Sequence, residues 1–194
     1  MNLPNKLTVL RILMIPLFLF MFSFPFDWGE FKAFSKTIPL AHIVAAIIFI
    51  LATITDWLDG YLARKWHLVT NFGKFADPLA DKMLIMAAFI VLIELKQVSA
   101  WIVAIIVIRE LAVTGLRLLV VEKKGEVLGA AWPGKIKTIT QMLAIIFLLL
   151  HNLPMAFVTN LPIGEILLYI ALTFTIYSGV DYFVKNKEVF KESM

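Results

Sequence analysis

The chain contains no cysteine. Disulfides, thiolate metal sites and a cysteine nucleophile are therefore excluded, and the redox compartment stays open. Histidine is scarce too, with 3 residues that do not cluster. Charged residues make up only 16% of the chain. No internal repeat, low-complexity stretch or separate soluble segment interrupts it, so residues 1–194 are expected to form a single membrane-embedded domain.

What fills the chain instead is apolar. Hydrophobic residues reach 61% and the mean hydropathy is +0.89. A soluble helix needs one apolar stripe, whereas a helix apolar all round is either deeply buried or spans a bilayer. A chain of 194 residues has no shell large enough to bury several such helices, so the composition points to a membrane protein. A span needs roughly 20 mostly apolar residues. Six stretches qualify: 9–25, 39–63, 79–95, 99–121, 136–153 and 162–184. Breakers separate several of them, including Phe24-Pro25-Phe26-Asp27-Trp28-Gly29, Trp132-Pro133-Gly134, Asn152-Leu153-Pro154 and Asn160-Leu161-Pro162. The expected fold is all-α, a polytopic bundle of six transmembrane helices. Lys6 and Arg11 before the first apolar run resemble a secretory leader, but no small-residue cleavage site follows. The first span is expected to be retained.

The net charge is +4 and the pI about 9.3. With both termini on one side, all of the 18 Lys and Arg except Lys32, Lys36 and Lys96 fall on that side. The positive-inside rule makes that side cytoplasmic. The basic pI then reflects topology, and no nucleic-acid partner is needed to explain it. The expected location is the plasma membrane, multi-pass. Trp28, Trp66, Trp101 and Trp132 suit interfacial anchoring, and His42 and His151 read as isolated structural residues at outer span ends.

Four aspartates stand where the second and third spans reach the cytoplasm. Asp56 and Asp59 are spaced i, i+3, and Asp77 and Asp81 are spaced i, i+4. Each spacing puts both carboxylates on one helix face. The connection between Arg64 and Asp77 lets the two helices run antiparallel, so all four can converge. Singly, each reads as a solvated interfacial residue, and Asp77-Pro78 has the form of a helix N-cap with proline following. As a set, four like charges near a bilayer call for a cation among them. Oxygen ligands without cysteine or clustered histidine favour Mg²⁺ or Mn²⁺, and two such ions suit phosphoryl chemistry.

Asp56, Asp59, Gly60, Ala63, Arg64, Gly73, Asp77 and Asp81 compose D-x-x-D-G-x-x-A-R, eight residues, G-x-x-x-D-x-x-x-D. This pattern resembles the signature of the CDP-alcohol phosphotransferase family, without departure. The resemblance implies that Asp56, Asp59 and Asp77 bind one metal ion and Asp56, Asp77 and Asp81 a second. It makes Asp81 the base toward the attacking alcohol, and gives the CDP part of the donor to Gly60 and Arg64, with Thr70 joining them. Chemically, Gly60 and Gly73 admit close approach to the backbone, Arg64 offers paired donors to phosphate oxygens, and Ala63 leaves room. Asn5…Thr8 is similar to an Asn-x-x-Thr segment that lies near the nucleotide in this family; on its residues alone it reads equally well as a helix cap. Homodimers are also what the resemblance suggests.

The acceptor half is read from the fourth and fifth spans. Arg109, Glu110 and Arg117 lie within an apolar helix, where charges demand a partner or a ligand. Arg109 and Glu110 are adjacent, about 100° apart on a helix, and are not expected to neutralise each other face to face. Lys135 and Lys137 open the fifth span, with Gln141 one turn on. Arg109, Arg117, Lys135 and Lys137 are the expected acceptor-phosphate ligands, with positive-inside anchoring as the plainer reading of the two lysines. His67, in the motif loop, is a lesser candidate for touching a phosphate. These segments resemble family members that use a phosphorylated acceptor. That implies CDP-diacylglycerol as donor, sn-glycerol 3-phosphate as acceptor, and an active site on the cytoplasmic face. Rivals within the family use phosphatidylglycerol, serine or inositol phosphate. A cation transporter is the rival outside enzymes, but it would want its carboxylates near the midplane.

Overall fold

The computed structural model describes residues 2–23, 28–33, 36–66, 68, 70–124, 132–153 and 155–187. Six long helices carry the chain: α1 (Leu3–Ser23), α2 (Leu40–Lys65), α3 (Asn71–Glu94), α4 (Ala100–Lys124), α5 (Trp132–Leu149) and α6 (Ile163–Lys185). The all-α expectation misses one feature. β1 (Glu30–Ala33) and β2 (Lys36–Pro39) form an antiparallel ribbon between α1 and α2, with Phe31 opposite Ile38 and Lys32 opposite Thr37. Phe, Thr and Ile favour extended backbone, and the segment is too short and polar to register as a span.

Several helices begin earlier than apolarity alone indicates. α1 starts at Leu3 because Asn2 caps it: the Asn5 amide donates to Asn2 Oδ1 at 3.2 Å. α3 starts at Asn71, capped by Thr70, whose hydroxyl accepts from the Gly73 amide at 3.0 Å. Asp77 is therefore inside α3 and not its cap. Pro78 also lies within α3 and leaves one backbone carbonyl a turn earlier without its usual donor. Trp132-Pro133-Gly134, read as a breaker, forms the first turn of α5, where proline is tolerated.

α1 packs on α2 and α3, α5 lies along α6, and α4 leans on α6. Phe18, Phe49, Phe89, Leu92, Ile145 and Leu149 fill the centre. Buried alanines let the backbones approach: Ala45, Ala46 and Ala52 on α2, and Ala76, Ala80, Ala87 and Ala88 on α3. Small residues at helix contacts are the usual device where lipid removes the hydrophobic drive to associate. The outward faces are apolar instead of charged. Leu13, Ile54, Ile90, Ile108 and Leu118 are all exposed, which suits hydrocarbon and not water. α1, α2 and α6 are each long and apolar enough to cross a bilayer. α3 and α4 carry the ionisable residues described next.

Candidate active site

The site is built at one end of the bundle by side chains aimed inward from helices apolar elsewhere. Asn5, Thr8 and Arg11 follow an i, i+3 spacing and share one face of α1. All three are buried, and Arg11 is fully so. That face meets the carboxylates of α2 and α3. The Thr8 hydroxyl lies 2.7 Å from Asp77 Oδ1 and 3.4 Å from Asp59 Oδ2. The Arg11 guanidinium pairs with Asp56 at 2.9 Å and also with Asp59 and Asp81. One hydroxyl and one guanidinium thus touch all four aspartates, and the predicted convergence is observed.

The cation among them is Arg11, which the sequence reading counted only toward topology and the N-terminal segment. The missed signal was its register: it continues the Asn5–Thr8 face into an otherwise apolar helix. One guanidinium offsets one of four carboxylates, so the pocket remains strongly anionic. Among the described residues, no three His, Asp or Glu side chains surround a single point as metal ligands do. The donor set still has the chemistry of a hard-cation site, all oxygen and all anionic.

Both motif glycines stand against side chains of the motif or of α1. A Cβ on buried Gly73 would meet Asn5 Oδ1 and Thr70 Oγ1 at 3.4 Å and Asp77 Oδ2 at 3.5 Å. A methyl group there would stand at ordinary van der Waals contact, so the glycine does not by itself set how closely α1 and α3 approach. Thr70 donates to Asn5 Oδ1 at 2.9 Å. Asn5 thus joins two helices, and the capping alternative for Asn5 and Thr8 falls away. Arg64 folds back over Gly60, whose Cβ would stand 3.5 Å from the guanidinium. Arg64 is exposed at the rim and Ala63 is half-buried beside it. His67 lies outside the described residues.

A cavity of about 410 Å³ opens from this cluster toward α4, α5 and α6. Asp77 and Asp81 line it together with Lys82, Arg109, Arg117 and Lys137, and Glu110 and Asp181 stand among those cations. Three of the four expected acceptor residues are brought together. Lys135 is not among them: it is exposed, with its ammonium 5.5 Å from the Trp132 ring centre. Lys82, which was not singled out, lines the cavity and donates to Thr114 Oγ1. It sits one residue after Asp81, so the motif helix itself supplies a cation beside its last carboxylate.

Arg109 and Glu110 correct a second expectation. Their Cα–Cβ directions diverge, yet the long arginine curls back and reaches Glu110 at 3.2 Å. Glu110 also binds Lys137. Arg109 spends its other terminal nitrogen on Ser178 of α6, at 2.8 Å. At the opposite end of the molecule, His42 and His151 are not isolated: their ring nitrogens stand 3.3 Å apart.

Residues 1–177 match the family model described as CDP-alcohol phosphatidyltransferase. The chain is 52% identical over 192 residues to a protein of Bacillus subtilis (strain 168), covering 99% of this chain and 98% of that one. It is 39% identical over 189 residues to one from Rickettsia felis, covering 97% of each. It is 38% identical over 186 residues to one from Sodalis glossinidius, covering 94% of this chain and 93% of that one. All three relatives are named CDP-diacylglycerol–glycerol-3-phosphate 3-phosphatidyltransferase. A motif matched at every position, carboxylates that converge and a family match over most of the length agree, and the chain belongs to the CDP-alcohol phosphatidyltransferase family.

Proposed function

We propose that the protein transfers the phosphatidyl group of CDP-diacylglycerol to sn-glycerol 3-phosphate, giving phosphatidylglycerol phosphate and CMP. The observation that carries this reading is one cavity lined by Asp77 and Asp81 together with four cations, two of which, Arg109 and Lys137, share Glu110. A phosphorylated alcohol fits that polarity, with its hydroxyl toward the carboxylates and its phosphate among Lys82, Arg109, Arg117 and Lys137. The full-length relatives bear the name of this reaction.

The proposed reaction gives each side chain a part. Asp81 takes the proton of the acceptor hydroxyl, which attacks the lipid-side phosphorus of the donor. The bond from that phosphorus to the CMP oxygen breaks, and CMP leaves. Gly60 and the Arg64 guanidinium that folds over it would hold the CDP part, and Asn5, Thr8, Thr70 and Gly73 would complete the donor site where α1 meets α3. Asp56, Asp59, Asp77 and Asp81 would hold Mg²⁺ or Mn²⁺, two ions, whose chemistry is to offset pyrophosphate charge and stabilise the departing phosphate. A lipid donor needs a site open to the bilayer at headgroup depth, and a site at the helix ends meets that need.

In this reading all six helices span the plasma membrane, with both termini and the active site on the cytoplasmic face. Support comes from the distribution of Lys and Arg. Reporter fusions after Lys185 and near Lys32 should report opposite compartments; the same compartment for both would break the six-span arrangement. The decisive assay offers the purified protein CDP-diacylglycerol with Mg²⁺ and a panel of acceptors. Metal-dependent CMP release should be fastest with glycerol 3-phosphate. Equal use of glycerol or phosphatidylglycerol would sink the assignment of the acceptor.

A further inference from the structure

The sequence draws attention to the fourth and fifth spans for acceptor recognition and leaves the sixth without a role. The structure brings one turn of α6 to the same cavity. Ser178, Asp181 and Tyr182 line it, at the i, i+3, i+4 spacing of a single helix face. Asp181 is held by Lys185 at 2.8 Å. The other two meet the acceptor cations in different ways.

Ser178 is buried, and its hydroxyl accepts from Arg109 at 2.8 Å. Next to it, Gly179 has no side chain where one would collide: a Cβ there would stand 3.0 Å from Arg109 Cγ. At that distance the arginine stem must give by a few tenths of an ångström. Gly179 therefore gives the arginine stem its passage, and Ser178 fixes its head.

Tyr182 packs against Leu116 and Val120 of α4. Its hydroxyl is buried and has no hydrogen-bond partner among the described residues. The same holds for Nε of Arg109 and Nε of Arg117. A buried polar group without a partner is costly. An arginine Nε can only donate. The three residues that carry these orphaned groups, two of them obligate donors, all line one cavity. What would satisfy them together is a ligand rich in acceptor oxygens.

We propose that the 178–182 turn of α6 is an acceptor-recognition element: Tyr182 donates its hydroxyl proton to the phosphate of the acceptor alongside Arg117, while Ser178 and Gly179 position Arg109 for that phosphate. This rests on the reading of the cavity as the acceptor site. It extends recognition to a third helix, and it separates a contacting residue, Tyr182, from two positioning residues.

The test uses the purified full chain with two readouts. In steady-state assays, Tyr182→Phe should raise KM for glycerol 3-phosphate about tenfold, with kcat and KM for CDP-diacylglycerol changed by less than about twofold. Gly179→Ala should do the same through Arg109. Ser178→Ala should show a smaller rise that Ser178→Thr, which keeps a hydroxyl, restores. A purely structural role would move both KM values or kcat together, and that result overturns the proposal. The second readout is calorimetric binding of glycerol 3-phosphate without donor. Weaker binding by Tyr182→Phe than by the parent supports the inference even if the transfer assay fails. Equal binding by the two, or none by the parent, overturns it.

Discussion

The two ends of the catalytic cavity differ in how far their charges are already spoken for. At the carboxylate end, α1, α2 and α3 are laced together: Arg11 reaches three aspartates, Thr8 a fourth, and Asn5 ties to Thr70. At the cation end, Glu110 binds Lys137 and Arg109, while the Nε atoms of Arg109 and Arg117 and the Tyr182 hydroxyl lack partners among the described residues. A cross-linked cluster makes a rigid platform for chemistry. Unspent donors make a receptor. In the proposed reaction the first end would hold the fixed machinery and the second would select what reacts.

The largest effect should come from breaking the fixed end. Asp81→Asn should cut turnover by roughly 10²–10⁴-fold, the scale of a lost general base, while CDP-diacylglycerol binding stays near normal. Near-normal turnover would remove Asp81 from that role. Asp56→Asn, Asp59→Asn and Asp77→Asn should each abolish most activity as well.

Arg11→Met tests the lacing itself. Removing one partner of a buried ion pair costs on the order of 3–5 kcal/mol, because the other charges are left uncompensated. Thermal unfolding in chelator should show a lower midpoint than the parent, and added Mg²⁺ should recover more of it than it adds to the parent. An unchanged midpoint in chelator would mean that Arg11 does not hold the cluster.

At the selecting end, Arg117→Ala and Lys137→Ala should raise KM for glycerol 3-phosphate roughly ten- to a hundredfold, the range of a charge-assisted hydrogen bond, and spare KM for the donor. A rise shared by both substrates would erase the contrast between the two ends. The smallest effect should be at Lys135. Its ammonium lies over Trp132 outside the cavity, so Lys135→Ala should change KM by less than about twofold. A large change there would return it to the acceptor site.

The fixed end was largely legible from the sequence, because carboxylates at i, i+3 and i, i+4 share a helix face. Gly60, Arg64, Gly73 and the four aspartates all fall together as their spacing requires. Arg11 was harder to see. Its partners lie on other helices, 45 to 70 residues away in the chain, and no local pattern reveals such distance. The selecting end was legible in type but not in membership. Helical register puts Arg109, Arg117 and Lys137 near one another, yet whether Lys135 or Lys82 points into the cavity depends on how α5 and α3 are rotated. Ser178, Gly179 and Tyr182 carry no motif, and only packing against α4 exposes their part. The two-stranded ribbon was missed because a search for apolar spans passes over short polar segments.

Arg11 has one further consequence, for biogenesis. It lies on α1, which is made before α2 and α3, and its three carboxylate partners lie on those two helices. Until α3 has emerged from the ribosome, that guanidinium has no complete set of counter-charges, and an unpaired charge in lipid is costly. α1 is therefore expected to stay shallow, its charged end at the interface, until α2 and α3 arrive. On that account the three helices reach their final depth together.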